Sequence, residues 1–236
     1  LRSARPSYVK FSKFFDAIFI HWGGSHSTKN YTGGYETIKK EKVNNIDGMS
    51  GGELFSRDSS RKVSSEHRGV LNGKKINKAI EKKGYRTELK DSSFSPLHFN
   101  STVAPAGADG ATSVGVKFSD RTDTRKFTYN TEDGKYSTND WEKKVKFQNL
   151  IILKAESTYI TVPYKGSTTT YLNYKWNSGS GKYISNGTVT DITWEVADGK
   201  LVLKDAVGNT LSVNKGKSYI GFVSSNHNGK ITCSAE

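Results

Sequence analysis

Residues 182–205 read KYISNGTVTDITWEVADGKLVLKD, and two dipeptides in them, Asn186-Gly187 and Asp198-Gly199, each lie between runs rich in β-branched and aromatic residues. Asn-Gly and Asp-Gly tolerate the positive φ angles of a tight two-residue turn, so each pair of runs is predicted to fold back as an antiparallel hairpin. The same texture extends outward. SVGVKFS, RKFTYN, NLIILKAE, TTYLNYKW and SYIGFV are further short β-rich runs between turn signals, beginning near residue 111. Residues 104–236 are therefore expected to form a mainly antiparallel β domain, a meander or small barrel. No repeat of fixed period stands out, so no solenoid or propeller is expected.

Towards the N-terminus the pattern changes to alternating helix and strand. In LRSARPSYVKFSKFFDAIFIHWGGSHS (residues 1–27), Pro6 suits the first turn of a helix, where its missing N–H leaves no bond unmade. Tyr8, Phe11, Phe14 and Phe15 then fall on one broad side, and the helix is expected to end near Asp16. AIFIH follows as a strand apolar on both faces, which predicts a buried position and not a sheet edge. GGYETIKKEKV reads as a second helix, and NIDG and ELFSRD as short strands or loops. NGKKINKAIEKKGYRTELK reads as a lysine-coated third helix with Leu71, Ile76 and Ile80 turned inward. At FNSTVAPAGADGATS, Pro105, several glycines and small residues mark a boundary. The expected fold class is thus α+β: an N-terminal α/β-type layered domain over residues 1–99, then the β-rich domain over 104–236.

The 236 residues are 33% hydrophobic and 11% aromatic, enough apolar bulk for packed cores despite a mean hydropathy of -0.66. AIFIHW and NLIILKA, the longest apolar stretches, fall far short of the roughly 20 residues that span a bilayer. The single cysteine, Cys233, excludes an intramolecular disulfide and a CxxC metal site. Lys and Arg outnumber Asp and Glu by 36 to 23, giving +13, of which +9 falls in residues 1–99 and +4 in the remainder. Such a surplus draws nucleic acid, anionic lipid or an anionic wall polymer through its long-range field. Nucleic acid is disfavoured, because no aromatics are interleaved with the lysines as a base-stacking surface requires.

In the order of their motifs, these residues resemble the YerB family of bacterial lipoproteins, a two-domain family of unestablished activity. RSARP, FDAIFIHWGGS, NNIDGMSGGELFSRDSSRK and INKAIEKKGYR carry the resemblance in the first domain, and GTVTDITWEVADGKLVLKDAVGNTLSVNKGKSYIGFV carries it in the second. The resemblance covers most of the chain, with a poorly matching centre around residues 130–180. After SRK the family pattern reads proline-histidine where this chain has VSSEHRGV, so the match does not fix whether His67 stands for that histidine. The tail SSNHNGKITCSAE extends beyond the usual ending. The resemblance implies an extracytoplasmic protein, tethered by lipid to the outer face of a Gram-positive cell membrane. It also implies that an upstream part of the first domain, with the lipidated cysteine, precedes Leu1.

Arg2, Arg5, His21, Asp47, Arg57, Asp58 and Arg61 lie in these motifs and at predicted element ends, and form the candidate ligand-binding set. Guanidinium forks bind carboxylate or phosphate bidentately, and aspartates orient them. A structural role is equally available, in which Arg2 and Arg61 pair with Asp47 and Asp58 to hold loop turns. Convergence of Arg2, Arg5 and Arg61 near His21 would mark an anion site. Ser25 and Ser27 place hydroxyls near His21, yet no GxSxG elbow is present. His21 and His26 show no HExxH pattern, and the loop NNIDGMSGGELFSRDSS lacks calcium-binding DxDxDG spacing. Asn45, Gly48, Gly51 and Gly52 therefore read as turn formers, and neither a metal nor a cofactor is expected. Trp176, Trp194, Tyr171 and Tyr174 alternate with polar residues, either as a row for stacking sugar rings or as one buried face of a sheet. The reading these features favour is a non-enzymatic lipoprotein ectodomain that binds an envelope protein or anionic wall polymer. The alternative is a cell-envelope hydrolase or transferase using His21 with Asp47 or Asp58.

Overall fold

The computed structural model describes residues 2–50, 55–91, 95–138, 145–164 and 166–235. The chain divides into two compact units, Leu1–Ser95 with Ile160–Tyr171, and Pro96–Tyr159 with Leu172–Glu236. This division departs from the expected 1–99 and 104–236 in two places. Residues 160–171, expected in the β domain, group with the first unit, where Tyr171 lies beneath the Arg5 guanidinium and beside Tyr31. Residues 96–99, expected in the first domain, and 100–103, expected between the domains, belong to the second unit: His98–Phe99 pair in parallel with Ser212–Val213, and Asn100 and Ala104 hydrogen-bond Asn214. Backbone polar groups taken from water need such partners, so this segment is stapled and not a free linker.

In the first unit α1 spans Pro6–Phe14, with Pro6 in its first turn and Phe15 as C-cap. Its buried face is Pro6, Val9 and Phe14; Phe11 and Phe15 are half-buried, and Tyr8, expected inside, is 62% exposed. Strand β1 (Phe19–His21) pairs in parallel with β2 (Asn45–Asp47) in a two-stranded sheet. The apolar run AIFIH is thus at an edge and not central, since its partner NID supplies only three residues and no third strand joins the pair among the described residues. Between them α2 (Gly34–Glu41) ends on Lys42 in the left-handed region, φ 53°. Ala4, Val9, Ile38 and Val43 form the small core, with Phe19 against it. Strands β3 (Phe55–Arg57) and β4 (Gly69–Leu71) are antiparallel. Helix α3 (Gly73–Lys82) is capped by the Asn72 side chain and keeps its lysines exposed, with Ile76, Ala79 and Ile80 half-buried. Gly48 forms its turn by donating to His21 O at 2.8 Å; Gly51 and Gly52 lie outside the described residues.

Besides the short pair His98–Phe99 with Ser212–Val213, the second unit has two larger sheets among the described residues. One runs Lys146–Phe147, Lys135–Ser137, Thr124–Asn130, Ser113–Lys117, Lys230–Ser234, all antiparallel neighbours. In the other, Lys200–Lys204, Thr188–Ala197, Ser178–Ser185 and Asn149–Ala155 are antiparallel neighbours, and Ser218–Ser224 joins in parallel. Both predicted hairpins form: Asn186 and Gly187 take φ of 53° and 73°, Asp198 and Gly199 of 51° and 74°. Val114, Val116, Phe127, Leu150, Ile152 and Ile184 are among the residues of the shared core. The C-terminal tail is part of the fold, because Lys230–Ser234 is a sheet strand that buries Ile231 and half-buries Cys233, whose thiol pKa is pushed up by that burial. The chain is therefore α+β and β-rich.

Candidate arginine and histidine site

The first unit explains why two arginines flank Ala4. RSARP runs beside HWGGS: Trp22 N–H donates to Arg2 O at 3.1 Å, Ala4 N–H to Gly23 O at 2.8 Å, and Ser25 N–H to Ala4 O at 3.1 Å. Ala4 is left fully buried, and a Cβ on Gly34 would stand 2.3 Å from its carbonyl oxygen, so only glycine fits at the start of α2. With Ala4 pinned, its neighbouring arginines go to different partners.

Arg2 lies against the His67 ring, its Nη1 3.0 Å from Nδ1 and 3.2 Å from Nε2. Arg61 Nη1 donates to the His67 carbonyl at 2.9 Å, and Arg57 donates to Ser65 O while its guanidinium carbon sits 4.7 Å over the Trp22 ring. Three arginines thus gather around the turn Ser65–His67. Among the described residues no carboxylate pairs with Arg2, which also lines an open cleft of about 290 Å³ with Tyr8, Phe11, Ser12 and Phe19.

Arg5 does not join this group. It stacks 4.4 Å over Tyr171 and donates to Ala4 O at 3.2 Å; Tyr171 in turn lies 5.5 Å from Tyr31. Tyr31 is buried, its pKa raised by burial, and its hydroxyl is 3.0 Å from Ser25 Oγ. Ser25 Oγ also accepts the Gly34 N–H at 2.8 Å, and Ser27 Oγ that of Gly33 at 2.9 Å, so both serines serve the start of α2.

His21 is sealed, at 1% exposure. Nδ1 faces Gly23 O at 2.8 Å and Nε2 faces Asn45 Oδ1 at 3.1 Å, with Phe19 and Tyr35 against the ring. The nearest carboxylate oxygen, on Asp47, is 3.7 Å from Nδ1. Asp47 is occupied by other donors: Gly23 N–H at 2.8 Å, Met49 N–H at 2.9 Å and the Tyr35 hydroxyl at 3.1 Å, whose pKa is raised by burial and by the Asp47 charge. Asp58 accepts from the Ser60 hydroxyl at 2.6 Å and the Ser60 N–H at 3.0 Å, which hold its pKa below the ordinary value.

Convergence of Arg2, Arg5 and Arg61 near His21 is therefore not observed: Arg2 and Arg61 meet at His67, and Arg5 and His21 lie in the scaffold. Asp47 holds turns as the structural reading expected, but through backbone N–H groups and not through an arginine. Sequence reasoning missed Trp22 and Tyr35, grouped Tyr171 with the aromatics of the second domain, and left His67 open. The Gly33-Gly34 pair was the one local signal of a close approach, since glycine at a helix start marks backbone packed against backbone. Among the described residues no group of three or more His, Cys, Asp or Glu is placed to hold a metal ion. In the second unit Trp176, Trp194 and Tyr174 surround Phe222 at ring distances of 4.7, 5.9 and 5.9 Å, and Trp194 is buried. These three form a packed aromatic box and not a sugar-stacking row.

Fold and site define a two-domain α+β protein in which the shared polar motifs hold two turns together and present an arginine and histidine cluster. Residues 1–86 match the N-terminal domain, and residues 114–220 the C-terminal domain, of a family described as "Protein of unknown function (DUF3048)". YerB of Bacillus subtilis (strain 168), named as a lipoprotein, is 29% identical over 94% of this chain, which spans 66% of that protein's length. The crystal structure of YerB protein from Bacillus subtilis superposes with a TM-score of 0.72 over 98% of this chain and 76% of that one, at 22% identity. The chain belongs to this two-domain YerB family.

Proposed function

We propose that the chain is the extracytoplasmic part of a lipid-tethered envelope protein, and that it binds an anionic wall polymer without turning it over. The tether is inferred from the relative named as a lipoprotein. No helix among the described residues is long and apolar enough to cross a membrane. The observation that carries the binding role is Arg2: exposed, without a carboxylate partner among the described residues, at the rim of an open cleft and beside Arg57, Arg61 and His67. An exposed guanidinium without a carboxylate partner among the described residues, lining an open cleft, favours a phosphate or carboxylate ligand. A hydrolase using His21 with Asp47 or Asp58 has the geometry against it, since the His21 ring has no open edge and both aspartates already accept several hydrogen bonds.

Calorimetric titration of the chain with a glycerol-phosphate oligomer tests this. Wild type should bind, and Arg2→Ala with Arg57→Ala should weaken binding about tenfold or more, the loss of one to two charge-assisted contacts, with little change in melting temperature. Absence of binding at low salt, or equal binding by the double variant, would overturn the assignment.

A further inference from the structure

Helix α3 carries charges in an arrangement that its own stability does not explain. Lys74, Lys78 and Lys82 stand at successive steps of four along one face, and like charges at that spacing repel. Lys74 and Lys75 occupy the first turn, which holds no acidic residue, so cations sit at the positive end of the helix dipole, where carboxylates would be stabilising. The ladder is not relieved by ion pairs: Lys74, Lys78, Lys82 and Lys83 form none among the described residues. All five lysines are exposed, no residue of α3 is buried, and Leu89 just beyond the helix is 44% exposed. Tyr85 fixes the segment by donating to Asn45 O at 3.1 Å, so the lysine face is held on the first unit.

We propose that this face docks on an anionic phospholipid surface. Lysine is a mobile point charge without the fork that reads one defined anion, and these lysines are exposed on a helix with no buried residue, so the face suits a fluid array of head groups. Arg2, by contrast, has a fork and lines a cleft. Repulsion along the ladder and at the helix start is relieved when lipid phosphates approach. A single acyl chain holds a protein at a membrane only marginally, and a basic patch supplies the second attraction. This role rests on the tethered-envelope reading for its setting, but the docking itself does not require the tether.

Co-sedimentation of the chain with phosphatidylcholine vesicles, with and without phosphatidylglycerol, tests the inference. Wild type should partition onto the anionic vesicles alone, and added salt should release it. The variant with Lys74→Gln, Lys78→Gln, Lys82→Gln and Lys83→Gln should lose roughly fivefold per lysine, more than about a hundredfold in all. Its melting temperature should be equal or higher, because the ladder repulsion is gone, so loss of binding is not misfolding. Arg2→Ala with Arg57→Ala should keep vesicle binding, which separates failure of this inference from failure of the polymer site. Equal binding to neutral vesicles, full binding by the lysine variant, or, in the chain carrying Arg2→Ala with Arg57→Ala, tighter binding to a glycerol-phosphate oligomer or an oligonucleotide at matched phosphate would each overturn it.

Discussion

Replacing Asp47 by alanine removes the acceptor on which the β1 end and the Gly48 turn depend, and its magnitude can be worked from the geometry. The side chain is 14% exposed and accepts from Gly23 N–H, Met49 N–H and the Tyr35 hydroxyl at 2.8, 2.9 and 3.1 Å. A hydrogen bond to a charged group contributes about 1.5–3 kcal/mol. The Met49 bond is exposed and water replaces it readily, so two bonds dominate. Partial rehydration of Gly23 and Tyr35 lowers their sum to about 3 kcal/mol. For a unit of about 100 residues that corresponds to melting roughly 12 °C or more lower. Asp47→Asn keeps one oxygen for Gly23 N–H, and the Tyr35 hydroxyl can turn to accept from the new amide, so it should lose only about 1 kcal/mol. Calorimetric melting of the three proteins measures both values. Asp47→Ala within about 0.5 kcal/mol of wild type, or an asparagine variant as damaged as alanine, would refute the view of Asp47 as a neutral-tolerant scaffold acceptor.

Two further outcomes follow from the hydrogen bonding. Asn214, fully buried, donates to Ala104 O and Ser185 Oγ and accepts from Ala104 N–H and Asn100; Asn214→Ala should cost about 3–5 kcal/mol and raise hydrogen exchange at residues 100–104, a loss under about 1 kcal/mol being incompatible with the staple. Asp16 has a lowered pKa, since burial, which alone would raise it, is outweighed by the Lys90 N–H at 2.8 Å and by Arg86. Its stabilisation is present above the ordinary carboxylate pKa, about 4, and fades as pH falls through the lower folded value, so the gap in urea midpoint between wild type and Asp16→Asn should be full at neutral pH and narrow below pH of about 4; a gap constant with pH would contradict the pairing.

The sequence by itself determined the elements whose causes are local. Asn186-Gly187 and Asp198-Gly199 turn because their own backbones accept positive φ, α1 starts at Pro6 because its ring presets the first turn, and α3 is a solvated basic helix because its lysines and isoleucines alternate at helical period. Tertiary structure alone decided what those elements meet. Arg2 and Arg5 are three residues apart in one motif, yet pairing of Ala4 with Gly23 and Ser25 sends one to His67 and the other to Tyr171, which is 166 positions from Arg5 in the chain. AIFIH reads as a central strand, but burial depends on how many neighbours its partner NID brings, and it brings one short strand. His21 looks like an active-site histidine at a strand end until Gly23 O and Asn45 close over it. Asp47 reads as a partner for arginine because charge pairs are what sequence suggests. In the fold, the unpaired N–H groups of Gly23 and Met49 lie within hydrogen-bond reach and the arginines do not, and short distance decides which donor a carboxylate takes.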